Sequence, residues 1–260
     1  MTVSKVQALS ARDNPLLQRL RRLGQDPAAY RRLGMAWLEG DHLCQALRAR
    51  SRPAAQALIT EAAWEQDAAL RDLAGWAERI NVVSPALFAS VSTLESPAAL
   101  GFVIDLSAAP AVDALAPTVV LDRLQDAGNV GSVLRSAAAL GVQQVLALKG
   151  TAALWSPKVL RAGMGAHFAL RLVEGLDDIA LGVPLLATSS HAGVMLPAAD
   201  LPSPCAWVFG HEGQGVSPAL LARCAMQVSI PQPGGEESLN VAAAAAICLY
   251  ESARRAGRAQ

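Results

Sequence analysis

Three short segments in the second half of the chain combine glycine with polar side chains, and each follows an apolar stretch typical of a β-strand. The first, DAGNVG at 126–131, is followed by Arg135. Glycine lets the backbone approach a ligand closely, and the free N–H groups at the start of a helix attract anionic or polar atoms. The spacing fits neither GxGxxG nor a P-loop. Two interpretations stay open: a ligand-binding turn, or an Asn129 helix cap with a surface Arg135.

The second segment, FGHEGQGVS at 209–217, holds three glycines within six residues. This density excludes regular structure and predicts a loop whose exposed backbone can surround a flat ligand. Glu212 is a candidate anchor for a polar substrate group or for the neighbouring loop, whereas His211 is more typical of an exposed loop residue. A tight turn capped by Ser217 is the simpler alternative, and it leaves the glycine content unexplained.

The third segment, IPQPGGEESLNV at 230–241, carries a strand into a loop rich in proline and glycine. Ser238, Leu239 and Asn240 are predicted to open the last helix. Ser238 has the side chain of an N-cap. Asn240 just inside a helix would be disfavoured by propensity, which indicates another task for it.

Apolar strands alternate regularly with helices in the part of the chain that holds these segments. This alternation predicts an α/β fold, a mainly parallel sheet with helices on both faces. Ligands bind such sheets outside the carboxyl ends of the strands, where the three segments fall. The predicted strands are 118–121, 144–148, 168–173, 184–188, 206–210 and 227–230, and the predicted helices are 130–140, 157–162, 218–224 and 239–256.

The first part of the chain has a different pattern. Residues 1–106 are predicted to form a small α+β domain, 107–117 a linker rich in alanine and proline, and 118–260 the second domain. The expected helices of the first domain begin at Pro15 and Asp41, and its expected strands are 57–60, 80–83 and 102–106.

Composition limits the class of protein. Hydrophobic residues make up 52% and charged residues 17% of the chain, which excludes global disorder. No uncharged apolar run reaches the length of about 18 residues that a membrane span needs, and the first residues lack the apolar stretch of a secretory signal. The four cysteines are widely spaced with no CxxC. We therefore expect a cytoplasmic protein with reduced thiols, no membrane association and no metal site.

Charge is distributed unevenly although the net charge is zero. Residues 1–52 carry ten lysines and arginines against four acidic residues. Arginine is the preferred partner of phosphate because its planar fork donates two hydrogen bonds at once. A nucleic-acid-binding face and a set of solvated helix faces are equally good interpretations of this excess.

The three segments resemble a known family when they are taken together. DAGNVGSVLRSAAALG, FGHEGQGVS and IPQPGGEESLNVAAAAA are similar, in this order, to the signature motifs of the SpoU (TrmH) family of RNA 2′-O-ribose methyltransferases. The resemblance covers roughly 118–256. More weakly, 10–105 resembles the RNA-binding domain, related to a ribosomal-protein fold, that many members carry. Ala127 and His211 depart from the family, which commonly has proline and often has asparagine at these places.

The resemblance implies a SPOUT methyltransferase that uses S-adenosylmethionine, contains a C-terminal trefoil knot and acts as a homodimer whose partner completes the site. A knot is not expected from general rules, since true knots are essentially absent from folds. The adenosine of the cofactor would lie among the knotted loops. The matching positions are Gly210, Ile230 and Leu239, with Thr188 and Ser189 lining the same pocket.

The resemblance also implies roles in catalysis. Arg135 falls at the family's functional arginine, and because a guanidinium stays protonated in proteins we expect it to grip a phosphate and stabilise charge on the ribose oxygen. The residues expected to align the reacting groups are Asn129, Glu212, Ser238 and Asn240. Structured RNA, ribosomal rather than transfer RNA, is the expected substrate, the preference resting on association with the additional domain. A catalytically silent RNA-binding protein is the alternative, and the presence of all these polar residues together argues against it.

Overall fold

The computed structural model describes residues 5–108, 110–189, 192–234 and 238–257, which form two compact units. The first unit comprises Met1–Ala109 and Trp155–Phe168, and the second comprises Pro110–Leu154 and Ala169–Gln260. The division falls inside the segment that the sequence suggests as a linker. Residues 155–168 pack with the first unit because Leu160 and Phe168 are buried in its hydrophobic core.

The first unit is built on a mixed five-stranded sheet. Its strand order is β1-β4-β3-β5-β2, in which β1, β4 and β3 run parallel and β5 pairs antiparallel with both of its neighbours. The strands are β1 (Lys5–Leu9), β2 (Met35–Glu39), β3 (Ala54–Thr60), β4 (Ala77–Val83) and β5 (Leu100–Asp105), and the helices contributed by the first 108 residues are α1 (Pro15–Gln25), α2 (Ala29–Leu33), α3 (Asp41–Ala49), α4 (Glu61–Gln66), α5 (Ala68–Ala74) and α6 (Pro85–Ala89).

Helix α1 shows how the local sequence specifies an element. Asn14 caps it by accepting a hydrogen bond from the N–H of Leu16, and Pro15 occupies the first turn, where its missing donor costs nothing. Its four leucines at positions 16, 17, 20 and 23 are buried, as their helical spacing predicts. The predicted start of this helix is confirmed.

The second unit is built on a seven-stranded sheet in which every recorded pairing is parallel. The strand order is β10-β12-β9-β11-β6-β7-β8, which confirms the predicted α/β class. The strands are β6 (Thr118–Asp122), β7 (Gln144–Leu148), β8 (Arg171–Leu176), β9 (Leu185–Thr188), β10 (Val194–Met195), β11 (Ala206–Gly210) and β12 (Met226–Ser229), and the helices after residue 117 are α7 (Ala127–Ala139), α8 (Pro157–Gly163), α9 (Pro218–Leu221) and α10 (Val241–Ala256), of which α8 belongs to the first unit.

Several boundaries differ from those that the sequence predicts. Helix α7 begins three residues earlier than expected and α10 two residues later, because other residues cap them. The strand expected at 168–173 is displaced toward Leu176 by a 3-10 turn at Ala166–Ala169. Strand β1 was not predicted, since its side chains are mostly exposed and it pairs only at the edge of the sheet.

The order of the central strands places four loops side by side. Strands β12, β9, β11 and β6 are adjacent and parallel, so their carboxyl ends lie at one edge of the sheet. The loops that leave this edge follow Asp122, Thr188, Gly210 and Ser229. All three glycine-containing segments therefore begin at the same edge.

The described part of the chain holds no helix long and apolar enough to cross a membrane and no group of three metal-ligating side chains. Burial raises the pKa of Cys205 to about 11 and that of Cys248 to about 12. Thiols with such pKa values are mostly protonated at neutral pH and react slowly.

Candidate active site

The carboxylate of Glu212 joins the second glycine segment to the first. Its Oε1 accepts hydrogen bonds from the backbone N–H of Asp126 at 3.0 Å and from Nδ2 of Asn129 at 3.2 Å. Its Oε2 accepts from the N–H of Gln125 at 3.2 Å. A single exposed carboxylate thus fixes the turn that precedes α7, and the expected role of Glu212 as an anchor for the neighbouring loop has a structural basis.

The side-chain amide of Asn129 connects this pair to the third segment. Nδ2 of Asn240 donates to Oδ1 of Asn129 at 3.0 Å. Asn129 therefore donates to Glu212 through its nitrogen and accepts from Asn240 through its oxygen, which fixes the orientation of the amide. We call Glu212, Asn129 and Asn240 the polar bridge, because it links residues from all three segments.

The helix caps next to the polar bridge differ from the expected ones. Asp126, not Asn129, caps α7, and its Oδ1 accepts from the N–H of Asn129 at 2.7 Å. The alternative in which Asn129 serves only as a helix cap is therefore wrong.

Asn240 caps α10 by accepting from the N–H groups of Ala242 and Ala243. The alternative in which Ser238 is only the N-cap is wrong, and so is the expectation that Asn240 lies inside the helix. Asparagine suits an N-cap because its side-chain oxygen satisfies free N–H groups. Its NH₂ remains available, and that group reaches Asn129.

The second segment is a closed loop. His211 and Gly215 exchange backbone hydrogen bonds of 3.0 and 2.8 Å, and Nδ1 of His211 accepts from the N–H of Gly213 at 3.0 Å. Gly215 has φ of +69°, which few other residues adopt easily. A Cβ at Gly210 would overlap the carbonyl of Gly215 and the nitrogen of Val216. Gly210 is thus required by the close approach of the loop to itself, and Gly215 is favoured by its positive φ. His211 stabilises the loop through its hydrogen bonds to loop backbone groups.

Two charged residues at the end of β6 were not singled out from the sequence. Asp122 is buried, and its Oδ2 accepts from the N–H of Ser217 at 2.6 Å. Nε of Arg123 donates to Oδ1 of Asp122 at 3.0 Å, and its Nη1 donates to Oε1 of Gln214 at 3.0 Å. The signal that could have found them is an adjacent pair of opposite charges directly after an apolar strand.

Both acidic groups at this edge are held in the charged form. Burial pushes the pKa of Glu212 upward, but hydrogen bonds from Asp126, Asn129 and Gln125 outweigh it and hold the pKa below its usual range. Burial likewise pushes the pKa of Asp122 upward, and the hydrogen bonds from Arg123 and Ser217 hold it below its usual range.

Comparison with known proteins assigns the family. Residues 116–250 match the model described as the SpoU rRNA Methylase family. The chain belongs to the SpoU rRNA methylase family. An uncharacterised tRNA/rRNA methyltransferase of Synechocystis sp. is 32% identical over 264 residues, 97% of this chain and 95% of the relative.

Two further SpoU relatives carry specific names. The 23S rRNA guanosine 2′-O-methyltransferase RlmP of Bacillus subtilis is 32% identical over 175 residues, which cover 65% of this chain and 70% of the relative. The solved structure of the SpoU methyltransferase AviRb from Streptomyces viridochromogenes, in complex with the cofactor AdoMet, superposes with a TM-score of 0.80. That structure is 24% identical and covers 94% of this chain and 98% of its own, so it supports the fold.

The structure of this SpoU protein brings together three of the five expected catalytic residues. Arg135 is exposed on α7, about 120° around the helix from Asn129 in an ideal geometry of about 100° per residue. Ser238 is exposed, and residues 235–237, which precede it in the third motif, lie outside the described residues. Within the described ranges, neither Arg135 nor Ser238 forms a hydrogen bond with the polar bridge.

The positions expected to bind a cofactor line the same edge of the SpoU sheet. Gly210 is buried at the end of β11, and Thr188 and Ser189 are half-buried at the end of β9. Ile230 is half-buried after β12, whereas Leu239 leaves 39% of its side chain exposed. The edge thus combines apolar side chains with the two hydroxyl groups of Thr188 and Ser189. This set fits a nucleoside, because a base needs apolar faces and a ribose needs hydrogen-bonding partners.

Proposed function

We propose that the protein transfers a methyl group from S-adenosylmethionine to a ribose 2′-hydroxyl of ribosomal RNA. The polar bridge carries this proposal, because it ties the three motif loops together at the sheet edge where ligands bind α/β proteins. The name of the Bacillus subtilis relative and the cofactor in the Streptomyces viridochromogenes structure support the chosen substrate and cofactor.

The proposed cofactor site consists of Gly210, Ile230 and Leu239, with Thr188 and Ser189 beside them. The exposed side chain of Leu239 and the half-buried Ile230 would contact the adenine, and the closed glycine loop would surround the adenosine with backbone groups. The cofactor supplies an electrophilic methyl group on a sulfonium. The loop residues provide binding and orientation and need no metal.

Arg135 acts on the nucleophile in this proposal. A ribose hydroxyl must lose its proton as its oxygen bonds to the methyl carbon and the carbon–sulfur bond breaks. The guanidinium stays protonated, so it does not take up that proton, which passes to solvent water. It grips the phosphate next to the ribose and stabilises the negative charge that develops on the oxygen. Asn129, Glu212 and Asn240 hold the loops in register, and Ser238 positions the ribose.

The second unit also offers a surface for self-association. Helix α10 packs against α7 and leaves Ile247 40% and Tyr250 59% exposed one turn apart. Large apolar side chains that face solvent together often mark a protein interface. We assign this face to a homodimer in which the partner completes the site around the exposed Arg135. The trefoil knot that the motif resemblance implies is part of this proposal for the C-terminal part of the second unit.

The first unit is assigned to RNA binding. Arg21 and Arg22 line an open cavity of about 500 Å³ on α1 with Gln18, Gln25 and Asp26. Arg21 is held in place by Ser90, to which its Nη2 donates at 3.0 Å. Two other arginines of 1–52 are paired within the unit: Arg32 pairs with Asp26 and Arg48 with Asp72, both at 2.7 Å. We assign phosphate binding to the cavity on α1, where two arginines lie side by side.

Transfer of tritium from labelled cofactor into RNA tests the proposal. Ribosomal RNA from cells that lack the gene should accept the label, and nuclease digestion should recover it on a ribose. Label in transfer RNA alone would shift the substrate to the transfer-RNA alternative, since the name of the Synechocystis relative includes both kinds of RNA. No label in any RNA would favour a silent RNA-binding protein.

The role of the first unit has its own test. Arg22→Glu should lower RNA affinity and reduce the slope of affinity against salt by about one to two counterions, since one cation is removed and one anion added. Arg48→Glu is the matched control, because Arg48 is paired with Asp72 outside the cavity. Equal slopes for the two variants would contradict the assignment.

A further inference from the structure

An unusual backbone conformation marks Arg123 at the edge of the candidate site. Its φ of +60° lies in the left-handed region, which glycine and asparagine adopt more readily than arginine. Only Ser51 and Met164 share a positive φ among the described residues other than glycine. A non-glycine residue keeps such a conformation when its surroundings fix it, and such positions cluster at functional sites.

The surroundings of Arg123 fix it through its side chain. Its guanidinium reaches Asp122 on one side and Gln214 on the other, each at 3.0 Å. Gly150, in the loop after β7, leaves room for the side chain, since a Cβ there would lie 3.2 Å from Cγ of Arg123. The left-handed backbone therefore directs the guanidinium to these partners, of which Gln214 belongs to the second motif segment, and the polar bridge is not involved.

The contacts of Arg123 complete the attachment of the glycine loop. Glu212 ties one side of the loop to the start of α7, and the buried Asp122 ties its end through the N–H of Ser217. Gln214 lies between these two points, and the guanidinium of Arg123 holds its side chain. The internal hydrogen bonds of the loop keep its shape, so the three outer contacts determine how it is oriented on the sheet edge.

We propose that Arg123 is a positioning residue of this methyltransferase: braced by Asp122, it holds Gln214 and thereby orients the glycine loop 210–217 for cofactor binding. This inference rests on the proposed placement of the cofactor at that loop. Arg123 touches no reacting group. Its removal changes the affinity for cofactor more than the rate at saturation, because the loop residues and the polar bridge remain.

The experiment compares cofactor affinity in variants of both partners. Calorimetry with S-adenosylhomocysteine should show Kd raised about tenfold in Gln214→Ala and in Arg123→Asn, the scale expected when a hydrogen bond to a charged group is lost. Asparagine tolerates the left-handed backbone, so Arg123→Asn removes the guanidinium without adding strain. Gln214→Glu should retain wild-type affinity, since its carboxylate still accepts from Arg123. Gln125→Ala is the control, because only the backbone N–H of Gln125 contacts Glu212.

Three further readouts separate positioning from general support of the fold. The KM for cofactor should rise in Gln214→Ala while kcat changes less than about threefold, as expected for lost ground-state binding. The thermal midpoint of Gln214→Ala should equal that of the wild type, because Gln214 is exposed. The double variant Arg123→Asn/Gln214→Ala should bind no more weakly than the weaker single variant, because the contact between Arg123 and Gln214 is already lost in each single variant.

Unchanged Kd in the single variants, additive losses of affinity in the double variant, or a loss of cofactor affinity in Gln214→Ala that is accompanied by a lowered thermal midpoint would overturn the inference while leaving the proposed function intact. Failure of the wild-type protein to bind S-adenosylhomocysteine would overturn the proposed cofactor site and this inference together.

Discussion

Asn240 donates a hydrogen bond of 3.0 Å to the side chain of Asn129 across 111 residues of sequence. Asn129 in turn donates a hydrogen bond to the carboxylate of Glu212, 83 residues away in sequence. The bridging group must accept from one partner and donate to the other, and the amide of asparagine does so with its oxygen and its nitrogen. The three motif loops of this SpoU protein are therefore joined through one side chain, and its substitution has defined consequences.

Substitution of Asn129 tests the polar bridge. Asn129→Ala removes both hydrogen bonds and should lower methyl transfer at least about tenfold, the scale of losing one or two hydrogen bonds of which one involves a carboxylate. Asn129→Asp keeps the acceptor for Asn240 but places a second carboxylate against Glu212, so it should lose at least as much. The measurement is tritium transfer into ribosomal RNA under saturating cofactor. Ser132→Ala, on the exposed side of the same helix, is the control, and equal rates for all variants would contradict the bridge.

Substitution of Arg135 tests the electrostatic role. Arg135→Ala should lower transfer about a hundredfold or more, as expected when a charge-stabilising donor is lost. Arg135→Lys keeps the charge without the planar fork and should recover only a small part of the rate. Calorimetry should show cofactor affinity nearly unchanged in both, since Arg135 lies outside the proposed cofactor site. A wild-type rate for Arg135→Ala would remove this residue from the mechanism.

Two glycines of the second loop provide a matched pair of variants. A Cβ at Gly210 overlaps the backbone of Gly215 and Val216, so Gly210→Ala should open the loop and weaken cofactor binding by about 1–3 kcal/mol, the usual cost of overpacking. The nearest atom to a Cβ at Gly213 is the imidazole of His211, at 3.8 Å. Gly213→Ala should therefore bind nearly as the wild type does in the same titration. Similar losses in both would show that the loop is sensitive for another reason.

The lowered pKa of Glu212 predicts a dependence of stability on pH. A carboxyl whose pKa is lower in the folded state stabilises the fold above its ordinary value, and this contribution is lost as pH falls through the lowered pKa. The free energy of unfolding should therefore decrease as the pH falls from about 5 to about 3. Other carboxyls with lowered pKa values contribute to the same decrease. Urea denaturation across this range should show a smaller decrease for Glu212→Gln. An identical decrease in variant and wild type would mean that Glu212 contributes nothing to it.

Local sequence patterns determined much of the second unit. Alternating apolar stretches placed β7 at 144–148 and β11 at 206–210, the bounds found in the structure. Glycine density marked the loop after β11, because a residue with no room for a Cβ must be glycine and a φ near +70° strongly favours it. Patterns of this kind depend on residues only a few positions apart, so they can be recognised in the amino-acid sequence alone.

Other features needed the arrangement of the sheet. Several polar residues near the start of α7 and of α10 could serve as N-caps, and the sequence does not show that Asp126 and Asn240 do so. The outcome depends on which of these side chains forms a hydrogen bond with a residue distant in sequence. Asn129 is drawn to Glu212, and that pairing exists because β11 lies next to β6. The role of Arg123 is likewise set by Gln214, 91 residues away.

The sequence by itself therefore determined the α/β class, the carboxyl ends of the strands as the place of the site, and most of the residues gathered there. The tertiary structure alone decided which of these residues touch, that residues 155–168 pack with the first unit, and that Arg135 stands apart from the polar bridge on the exposed side of α7. The physical reason is the range of the interactions. Periodicity and caps act within a few turns of chain, whereas the contacts of a site are fixed by strand order across a parallel sheet.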